Sequence, residues 1–265
     1  KHKKFSRDEK VRIDVLDKFG YFSTESNGHL SEYLPWYRRT QNDVKKWSSL
    51  SNWIHGETGG YLRVCNEKRN WFVEDYPKYL KKSGINLNDY KRSSEHGSYI
   101  IEAIETGKKY RGHFNVINNK TISNLDEDCV IESTGYVSSK GLEMIKGIKL
   151  PLQCASLCST SIDVQRMAVK AAVNGDVELL KLAVLQDPLV SSVCSPEEVW
   201  QMVDEMLVAQ EKWLPQFKSK INNIKRNLKK IKNYKYNKAV KGITKKTKNN
   251  TQKRSVLVEK EAFNL

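Results

Sequence analysis

The stretch GYFSTESNGHLSEYLPWYRR, residues 20–39, decides how the rest of the chain is interpreted. It mixes aromatic, acidic and basic side chains with Ser, Asn and Gly, and it lacks the spacing of a long helix or strand. Flat aromatic faces contact the C–H groups of sugars, and carboxylate and imidazole groups move protons. The composition indicates a loop leading into a short helix and a carbohydrate site; a surface loop with packed aromatic rings explains it equally well.

Regular elements are predicted on both sides of this stretch. Gly20, Gly107 and the pair Asn174-Gly175 follow apolar residues at helical spacing and are read as helix ends. The capping box at Ser195, with Pro196 at the first helical position, starts another helix. In chain order, the predicted elements are helices over 6–19 and 94–106, strands at His113–Ile117 and Cys129–Ser133, and helices over 161–173, after Asp176, and from Ser195 to about Trp213.

The positive charge of the chain is concentrated at its C-terminal end. The formal net charge is +15, and residues 218–265 hold 16 Lys or Arg against 2 Asp or Glu. Residues 1–217 are nearly neutral, with 30 basic and 29 acidic side chains. Because the sequence after Phe217 is rich in Lys and Asn and poor in apolar residues, we predict a folded domain over 1–217 and a tail over 218–265 that is disordered or an extended helix.

Cysteine spacing and missing motifs exclude several classes of protein. The five cysteines are irregularly spaced, and Cys154 and Cys158 have no His nearby, which favours reduced thiols over a zinc site. No apolar run is long enough for a transmembrane helix, and we expect no secretory signal. Neither G-x-G-x-x-G, nor a phosphate loop, nor G-x-S-x-G occurs. We therefore expect a cytoplasmic protein whose own residues do not hold a nucleotide.

Several motifs, in consistent order, resemble those of glycoside hydrolase family four, in the branch that acts on unphosphorylated α-galactosides, α-glucosides or uronides. The segment over 20–36 is similar to the family's GYFxTESxxHxxEYxPW, and Arg92–Ser98 is similar to its RSSExGS. Residues 110–132 resemble its YRGxxNVxNxGxIxNLPxDxxVE, with Asp126 in place of the usual proline. Shorter matches continue this resemblance to residue 217.

The resemblance implies a fold and two cofactors. The fold is an α+β domain like the C-terminal half of lactate-dehydrogenase-type enzymes, with mixed antiparallel strands and covering helices. The resemblance also implies an N-terminal Rossmann domain for NAD, with the Cys and His that hold Mn²⁺. The chain starts at Lys1 and contains neither. We therefore expect a fragment that supplies the substrate-side domain and no metal ligands.

The reaction implied by the resemblance is cleavage by oxidation and elimination, without the usual pair of carboxylates. NAD⁺ takes a hydride from the third ring carbon, and a base removes the proton on the second carbon while Mn²⁺ stabilises the enolate. The glycosidic oxygen then leaves, water adds back and the hydride is returned. Members of the family place an Asp or Tyr at the position that aligns with Ser26.

Candidate site residues follow from this alignment. Serine is a poor base without an activating partner, so Glu25 is the nearest ionisable substitute, followed by Tyr21 and His29. For His29 an orienting role remains open, as does packing for Tyr33 and Trp36. A buried structural role remains equally open for Arg111, Asn115 and Asn118. The candidate catalytic residues are Glu25, Tyr21 and Ser26, and the candidate substrate-binding residues are His29, Glu32, Tyr33, Trp36, Arg111 and Asn115.

The expected partners are an oligosaccharide or glycoside substrate and, for the full-length protein, further copies of itself. Membranes and nucleic acids are not expected partners, because the positive charge lies in the tail and not on the body. A competing hypothesis from a different class is a non-catalytic basic protein that binds nucleic acid or membranes through residues 218–265.

Overall fold

The computed structural model describes residues 3–48, 71–81 and 91–230. The described residues form two compact units, one from residues 3–48 with 152–230 and the other from residues 71–81 with 91–151. The glycines at 56, 59 and 60, Cys65 and the sequence after Lys230 lie outside the described residues.

The described elements mix helices with one small sheet, as the predicted α+β class requires. Two short 3₁₀ helices, Glu211–Trp213 and Pro215–Phe217, precede the last α-helix. The elements are α1 (Lys3–Asp8), α2 (Lys10–Phe19), α3 (Asn27–Tyr33), α4 (Gln41–Trp47), α5 (Trp71–Glu74), α6 (Tyr76–Leu80), α7 (His96–Thr106), β1 (Tyr110–Ile117), β2 (Val130–Ser138), β3 (Gly141–Met144), α8 (Leu152–Asn174), α9 (Val177–Gln186), α10 (Pro188–Val193), α11 (Pro196–Ala209) and α12 (Lys218–Lys230).

The second unit is built on an antiparallel sheet in the order β1-β2-β3. Tyr110 pairs with Val137 and Ile117 with Val130, so the two long strands are in contact along their whole length. Helix α7 packs against both of them. Both predicted strands are confirmed, although each is longer than expected, and β3 was not predicted.

Two apolar clusters stabilise the first unit. One joins α2, α3 and the segment after α3, with Val11, Val15 and Leu30 among its buried members. The other joins α9, α11 and α12 around Val199 and Phe217. Burial of such side chains is the main favourable contribution to folding, at about 1.5–3 kcal/mol for each fully buried large aliphatic or aromatic group.

The predicted helix ends at Gly20 and Gly175 are confirmed. Gly20 follows α2 with φ of 76° and donates its N–H to Leu16 O. Gly175 follows α8 with φ of 63°, and a Cβ there would lie 2.3 Å from the carbonyl oxygen of Gln216. The left-handed backbone and this close approach both require glycine at position 175.

Three predicted helix bounds were wrong. The single helix predicted over 6–19 is two helices, because α1 ends at Asp8 and α2 begins at Lys10. Helix α8 begins at Leu152 and not at Ser161, because its first turns, rich in Ser, Thr and Cys, carry no clear apolar stripe. Cys154 and Cys158 lie on this helix, and the four described cysteines are thiols. The helix that follows the capping box of Ser195 and Glu198 ends at Ala209, followed by a 3₁₀ turn as far as Trp213.

The start of the predicted tail is part of the packed structure. In α12, Ile221 and Ile224 are buried in the same cluster as Phe217, and Leu228 packs against that cluster from the same face. Residues 218–230 thus form the helix that was one alternative for the tail, and this helix packs against residues of the domain predicted over 1–217. Helix α12 satisfies the i, i+3, i+7 pattern of a core-facing helix beneath a basic outer face.

Candidate functional site

The site is built from the turn that starts α3. Ser26 is the N-cap of this helix, and its Oγ accepts a hydrogen bond from the backbone N–H of His29 at 3.3 Å. Glu25 Oε1 accepts a hydrogen bond from the backbone N–H of Ser26 at 2.6 Å. The N–H groups at the start of a helix have no partner within the helix. The side chains of Glu25 and Ser26 accept hydrogen bonds from two backbone N–H groups at the start of α3.

Helix α3 has one buried and one exposed face. Asn27, Leu30 and Ser31 are buried, whereas His29 and Tyr33 are exposed. His29 and Tyr33 are four residues apart on α3 and share one face, and Glu25, which precedes the N-cap, contacts His29 from the start of the helix. His29 Nδ1 lies 3.4 Å from Glu25 Oε1, and the His29 and Tyr33 ring centres are 6.3 Å apart. The predicted residues of this segment thus form a row of side chains facing away from the core.

The buried side chain of Arg38 stabilises α3 through contacts with three of its residues. Arg38 Nε donates to Ser31 Oγ at 2.7 Å, and Arg38 Nη2 lies 3.5 Å from Glu32 Oε1. Arg38 Nη2 also donates to the carbonyl of Gly28. Burial lowers the pKa of Arg38, and Glu32 acts in the opposite direction. Glu32, predicted to bind substrate, therefore has an internal partner; the role of Arg38 was missed because it depends on burial.

Asn27 joins α3 to two other helices. Its Oδ1 accepts from the backbone N–H of Val11 at 2.8 Å, and its Nδ2 donates to the carbonyl of Trp47 at 3.2 Å. These bonds satisfy one backbone group at the start of α2 and one at the end of α4. Asn27 fixes the turn that carries Glu25 and Ser26, and sequence reasoning did not identify it.

The loop before α3 is held by Arg12. Its Nε donates to the carbonyl of Ser23 at 3.1 Å, and its guanidinium carbon lies 4.4 Å from the centre of the Phe22 ring. Arg12 Nη1 also lies 3.0 Å from Glu9 Oε2 on the same face of α2. A guanidinium over an aromatic ring is attracted by the electrons of the ring face. The loop therefore has defined contacts with α2.

The segment over residues 20–39 carries exposed aromatic side chains before, on and after α3. Tyr21, Phe22, Tyr33 and Trp36 are all at least 41% exposed. Trp36 also packs against Phe19, with ring centres 5.9 Å apart, so it both contacts the core and faces solvent. Burial raises the pKa of Tyr33, and the charges of Glu25 and Glu32 raise it further. The Tyr33 phenol therefore stays protonated at neutral pH and is available as a hydrogen-bond donor.

The remaining predicted residues belong to the second unit. Arg111 and Asn115 lie on β1 with exposed side chains, opposite Tyr136 and Glu132 of β2. Asn118 is fully buried, so it takes the structural role that the sequence left open. Its side-chain amide donates to the carbonyls of Ile122, Leu125 and Asp126, and its Oδ1 accepts from Ile122 N.

The RSSEHGS segment forms a stack at the start of α7. The Arg92 guanidinium lies 3.6 Å from the Tyr99 ring centre, and Tyr99 stacks on Tyr110 at 5.4 Å. Glu95 occupies the N-cap position of α7, without a side-chain capping bond, and His96 Nδ1 is hydrogen bonded to Tyr110 Oη. The segment thus joins the first turn of α7 to the first residue of β1.

The described residues do not fit the cofactors that the resemblance implies. Within residues 3–48, 71–81 and 91–230, no group of three or more His, Cys, Asp or Glu side chains is arranged to hold a metal ion. The sequence also contains no glycine-rich nucleotide motif, as noted above. In the same described ranges, no helix is long and apolar enough to cross a membrane.

Comparison with known proteins identifies the family. Residues 1–190 match the family 4 glycosyl hydrolase C-terminal domain. The chain belongs to this family. The motif-based resemblance is therefore confirmed, and so is the α+β fold of the family's C-terminal domain.

Curated relatives of this family 4 chain are glycosidases. An alpha-galactosidase of Rhizobium meliloti (strain 1021) is 59% identical over 227 residues, which cover 86% of this chain and 46% of that protein. An alpha-galactosidase of Bacillus subtilis (strain 168) is 32% identical over 78% of this chain and 46% of its own length. The chain thus spans about half the length of these relatives.

Solved structures share the fold. The Bacillus subtilis protein lplD aligns with a TM-score of 0.59 and 21% identity, covering 75% of this chain and 43% of that one. A 6-phospho-alpha-glucosidase from gut microorganisms, solved in complex with NAD and glucose-6-phosphate, aligns with a TM-score of 0.55 and 18% identity over 80% of this chain and 45% of that one. Similarity at this level of identity establishes the fold of the chain alone.

Proposed function

We propose that this chain is the substrate-side portion of a glycosidase that hydrolyses α-linked galactosides, with α-glucosides and α-galacturonides as the neighbouring substrate classes. The observation that carries the proposal is the 59% identity to an alpha-galactosidase over 86% of the chain. The exposed row of Glu25, His29 and Tyr33, together with the exposed rings of the same segment, is the surface on which the sugar would bind.

The proposed reaction is the oxidation–elimination route, with NAD and Mn²⁺ as cofactors. Support comes from the family and from a structural neighbour solved with NAD. We propose that both cofactors are held mainly by the N-terminal domain that the resemblance implies. When bound, they would supply a hydride acceptor and a Lewis acid.

The residues of the chain would bind and orient the sugar. Tyr33 and Trp36 present exposed rings to C–H groups, and the Tyr33 phenol and the Glu32 carboxylate offer a donor and an acceptor to hydroxyls. His29 would contribute a further polar contact. Arg111 and Asn115 remain proposed substrate contacts on the exposed face of β1.

The geometry favours some catalytic candidates over others. Ser26 Oγ already accepts the N–H of His29 as a helix cap, so its hydroxyl has a structural function. Glu25 and Tyr21 are the ionisable members of the three catalytic candidates, and Tyr21 is 53% exposed. The proton-transfer chemistry of the proposal therefore depends on Glu25, Tyr21 and their neighbours on α3.

The rest of the proposal concerns location and assembly. We place the protein in the cytoplasm, a compartment that keeps thiols such as the four described cysteines reduced. A glycoside is the proposed substrate, and the full-length protein is proposed to be a homo-oligomer. The competing hypothesis of a basic binding protein gains no support from the curated relatives, which are glycosidases.

The test is a fusion of this chain to the N-terminal portion of the Rhizobium meliloti relative. We expect the fusion to cleave p-nitrophenyl α-galactoside only when NAD⁺, Mn²⁺ and a reductant are present. Cleavage that is undiminished without NAD⁺ would contradict the proposed route. As an independent measure, methyl α-galactoside should change the tryptophan fluorescence of the chain itself, and Trp36→Phe should remove most of this change.

A further inference from the structure

We propose that Nε2 of His29 is the proton acceptor of the candidate site and that Glu25 is the residue that positions the imidazole. The inference rests on the proposed function, because it names the base that would act on a sugar bound along α3. It changes the assignment of Glu25 from base to partner of the base.

The contacts of Glu25 point toward its own helix. Its Oε1 accepts the Ser26 N–H at 2.6 Å and lies 3.4 Å from Nδ1 of His29. A carboxylate oxygen held in this way is directed to the start of α3. His29 extends further outward, with 54% of its side chain exposed against 40% for Glu25.

The position of Glu25 determines which imidazole nitrogen carries the hydrogen. A neutral imidazole has one N–H and one nitrogen with a free lone pair. A carboxylate beside Nδ1 favours the form with hydrogen on Nδ1, which leaves Nε2 as the acceptor. In the part of the chain that the structure describes, Nε2 of His29 has no hydrogen-bond partner.

Proton transfer to His29 also balances in charge. In the 3-keto sugar that hydride transfer to NAD⁺ leaves in the proposed route, the C–H bond on the second carbon breaks, its electron pair passes into the enolate, and the proton forms a new bond to Nε2. The imidazolium that results carries a positive charge beside the Glu25 carboxylate, 3.4 Å from Nδ1. The Tyr33 ring, with its centre 6.3 Å away, is the other group facing His29 on α3.

The first experiment measures the imidazole tautomer in the intact chain. Long-range ¹H–¹⁵N NMR spectra of the ¹⁵N-labelled protein would be recorded at about pH 8, where an ordinary imidazole is neutral. His29→Gln assigns the signal among the five histidines of the chain. We expect hydrogen on Nδ1 of His29 to predominate, and Glu25→Ala to lower the ratio of the two tautomers roughly threefold or more, on the scale of an exposed charge pair.

The matched control is Asp17→Ala, which removes an exposed carboxylate from α2 in the same unit and should leave the tautomer ratio unchanged. Predominance of hydrogen on Nε2 in the unsubstituted chain would overturn the assignment. So would a ratio that does not respond to Glu25→Ala.

A second measurement separates this inference from the proposed function. Diethyl pyrocarbonate acylates neutral imidazole, and mass spectrometry can follow the reaction at His29 with and without methyl α-galactoside. We expect the sugar to slow this reaction at least severalfold. Lack of protection with the expected tautomer would refute the sugar site, whereas protection with the opposite tautomer would refute only the choice of His29 as proton acceptor.

Discussion

Asn27 Oδ1 accepts a hydrogen bond from the backbone N–H of Val11 at 2.8 Å, and neither residue has any exposed surface. The same side chain donates to the carbonyl of Trp47. Asn27→Ala leaves both backbone groups without this partner, so we expect a loss of about 2–5 kcal/mol in the free energy of unfolding. Urea unfolding followed by tryptophan fluorescence measures this loss. Asn222→Ala, at an exposed position of α12, is the control, and equal stability of the two variants would contradict the role of Asn27.

Truncation tests where the packed structure ends. Removing residues 218–265 deletes Ile221 and Ile224, both buried in the cluster around Phe217. We expect this chain to lose several kcal/mol of stability, since a single large-to-small change at a buried aliphatic residue costs about 2–5 kcal/mol. Removing only residues 231–265 should change stability little, because that sequence is rich in Lys and Asn. Thermal melts of both truncations are compared with that of the full chain. If the chain without residues 218–265 melts at the same temperature as the chain without residues 231–265, α12 contributes nothing to stability.

Asp14 should contribute to stability only above acidic pH. Burial acts to raise the pKa of Asp14, but hydrogen bonds from Lys18 and Tyr37 and the charges of Lys18 and Lys46 together lower it below its ordinary value. The contribution is therefore present above the unfolded-state pKa of about 3.9 and is lost as the pH falls through the lower folded-state pKa. Asp14→Asn should lower the urea midpoint at neutral pH and have progressively less effect below about pH 4. Asp17→Asn, exposed on the same helix, is the control; a constant effect of Asp14→Asn at all pH values would contradict the prediction.

Two substitutions in the full-length fusion should separate a base from its partner. His29→Ala should lower kcat by about 10²-fold or more, the usual effect of losing a general base. Glu25→Ala should lower it by roughly 10- to 100-fold, the range for a group that orients a functional imidazole. Steady-state kinetics with p-nitrophenyl α-galactoside gives both values, and exchange of the proton on the second ring carbon in deuterated water reports the step itself. Normal exchange in His29→Ala would exclude His29 as the base.

Gly175 should tolerate no side chain. The backbone at this position has φ of 63°, and a Cβ would lie 2.3 Å from Gln216 O. We expect Gly175→Ala to destabilise the chain by more than the roughly 1–2 kcal/mol of left-handed strain alone, because the backbone must also move. Gly20→Ala has similar φ but open space around its Cβ, so it isolates the strain. Equal melting temperatures for the two variants would show that the contact with Gln216 is unimportant.

Local signals predicted those parts of the fold that depend on neighbouring residues. The Ser195–Glu198 capping box, the helix ends at Gly20 and Gly175 and the alternating strands are all encoded within a few residues. Strand β3 is only four residues long and half of its side chains are exposed, so its sequence carries little signal. A helix after Phe217 was one of the two alternatives left open, but the packing of α12 against the core was not foreseen, because its charged residues conceal three apolar positions on one face.

The candidate site could be located from its sequence, but its internal support could not. Glu25, His29 and Tyr33 stand out as polar or aromatic residues in a short stretch, and the spacing of His29 and Tyr33 by four indicates a common face once the helix is known. The roles of Asn27 and Arg38 depend on partners in other elements or on burial, neither of which a short motif reveals. Arg38 and Arg39 are adjacent arginines, so the sequence alone does not show that Arg38 is buried and Arg39 is exposed.

The division of α3 into two faces separates what folds the helix from what the helix offers to a ligand. Asn27, Leu30 and Ser31 hold the backbone in place from the buried side, while His29 and Tyr33 contribute few contacts to that packing. Substitutions at exposed positions outside such packing usually change stability by less than about 0.5 kcal/mol. Position 33 is therefore suitable for a substitution library: new sugar preferences could be selected there while the scaffold remains folded and His29 is kept.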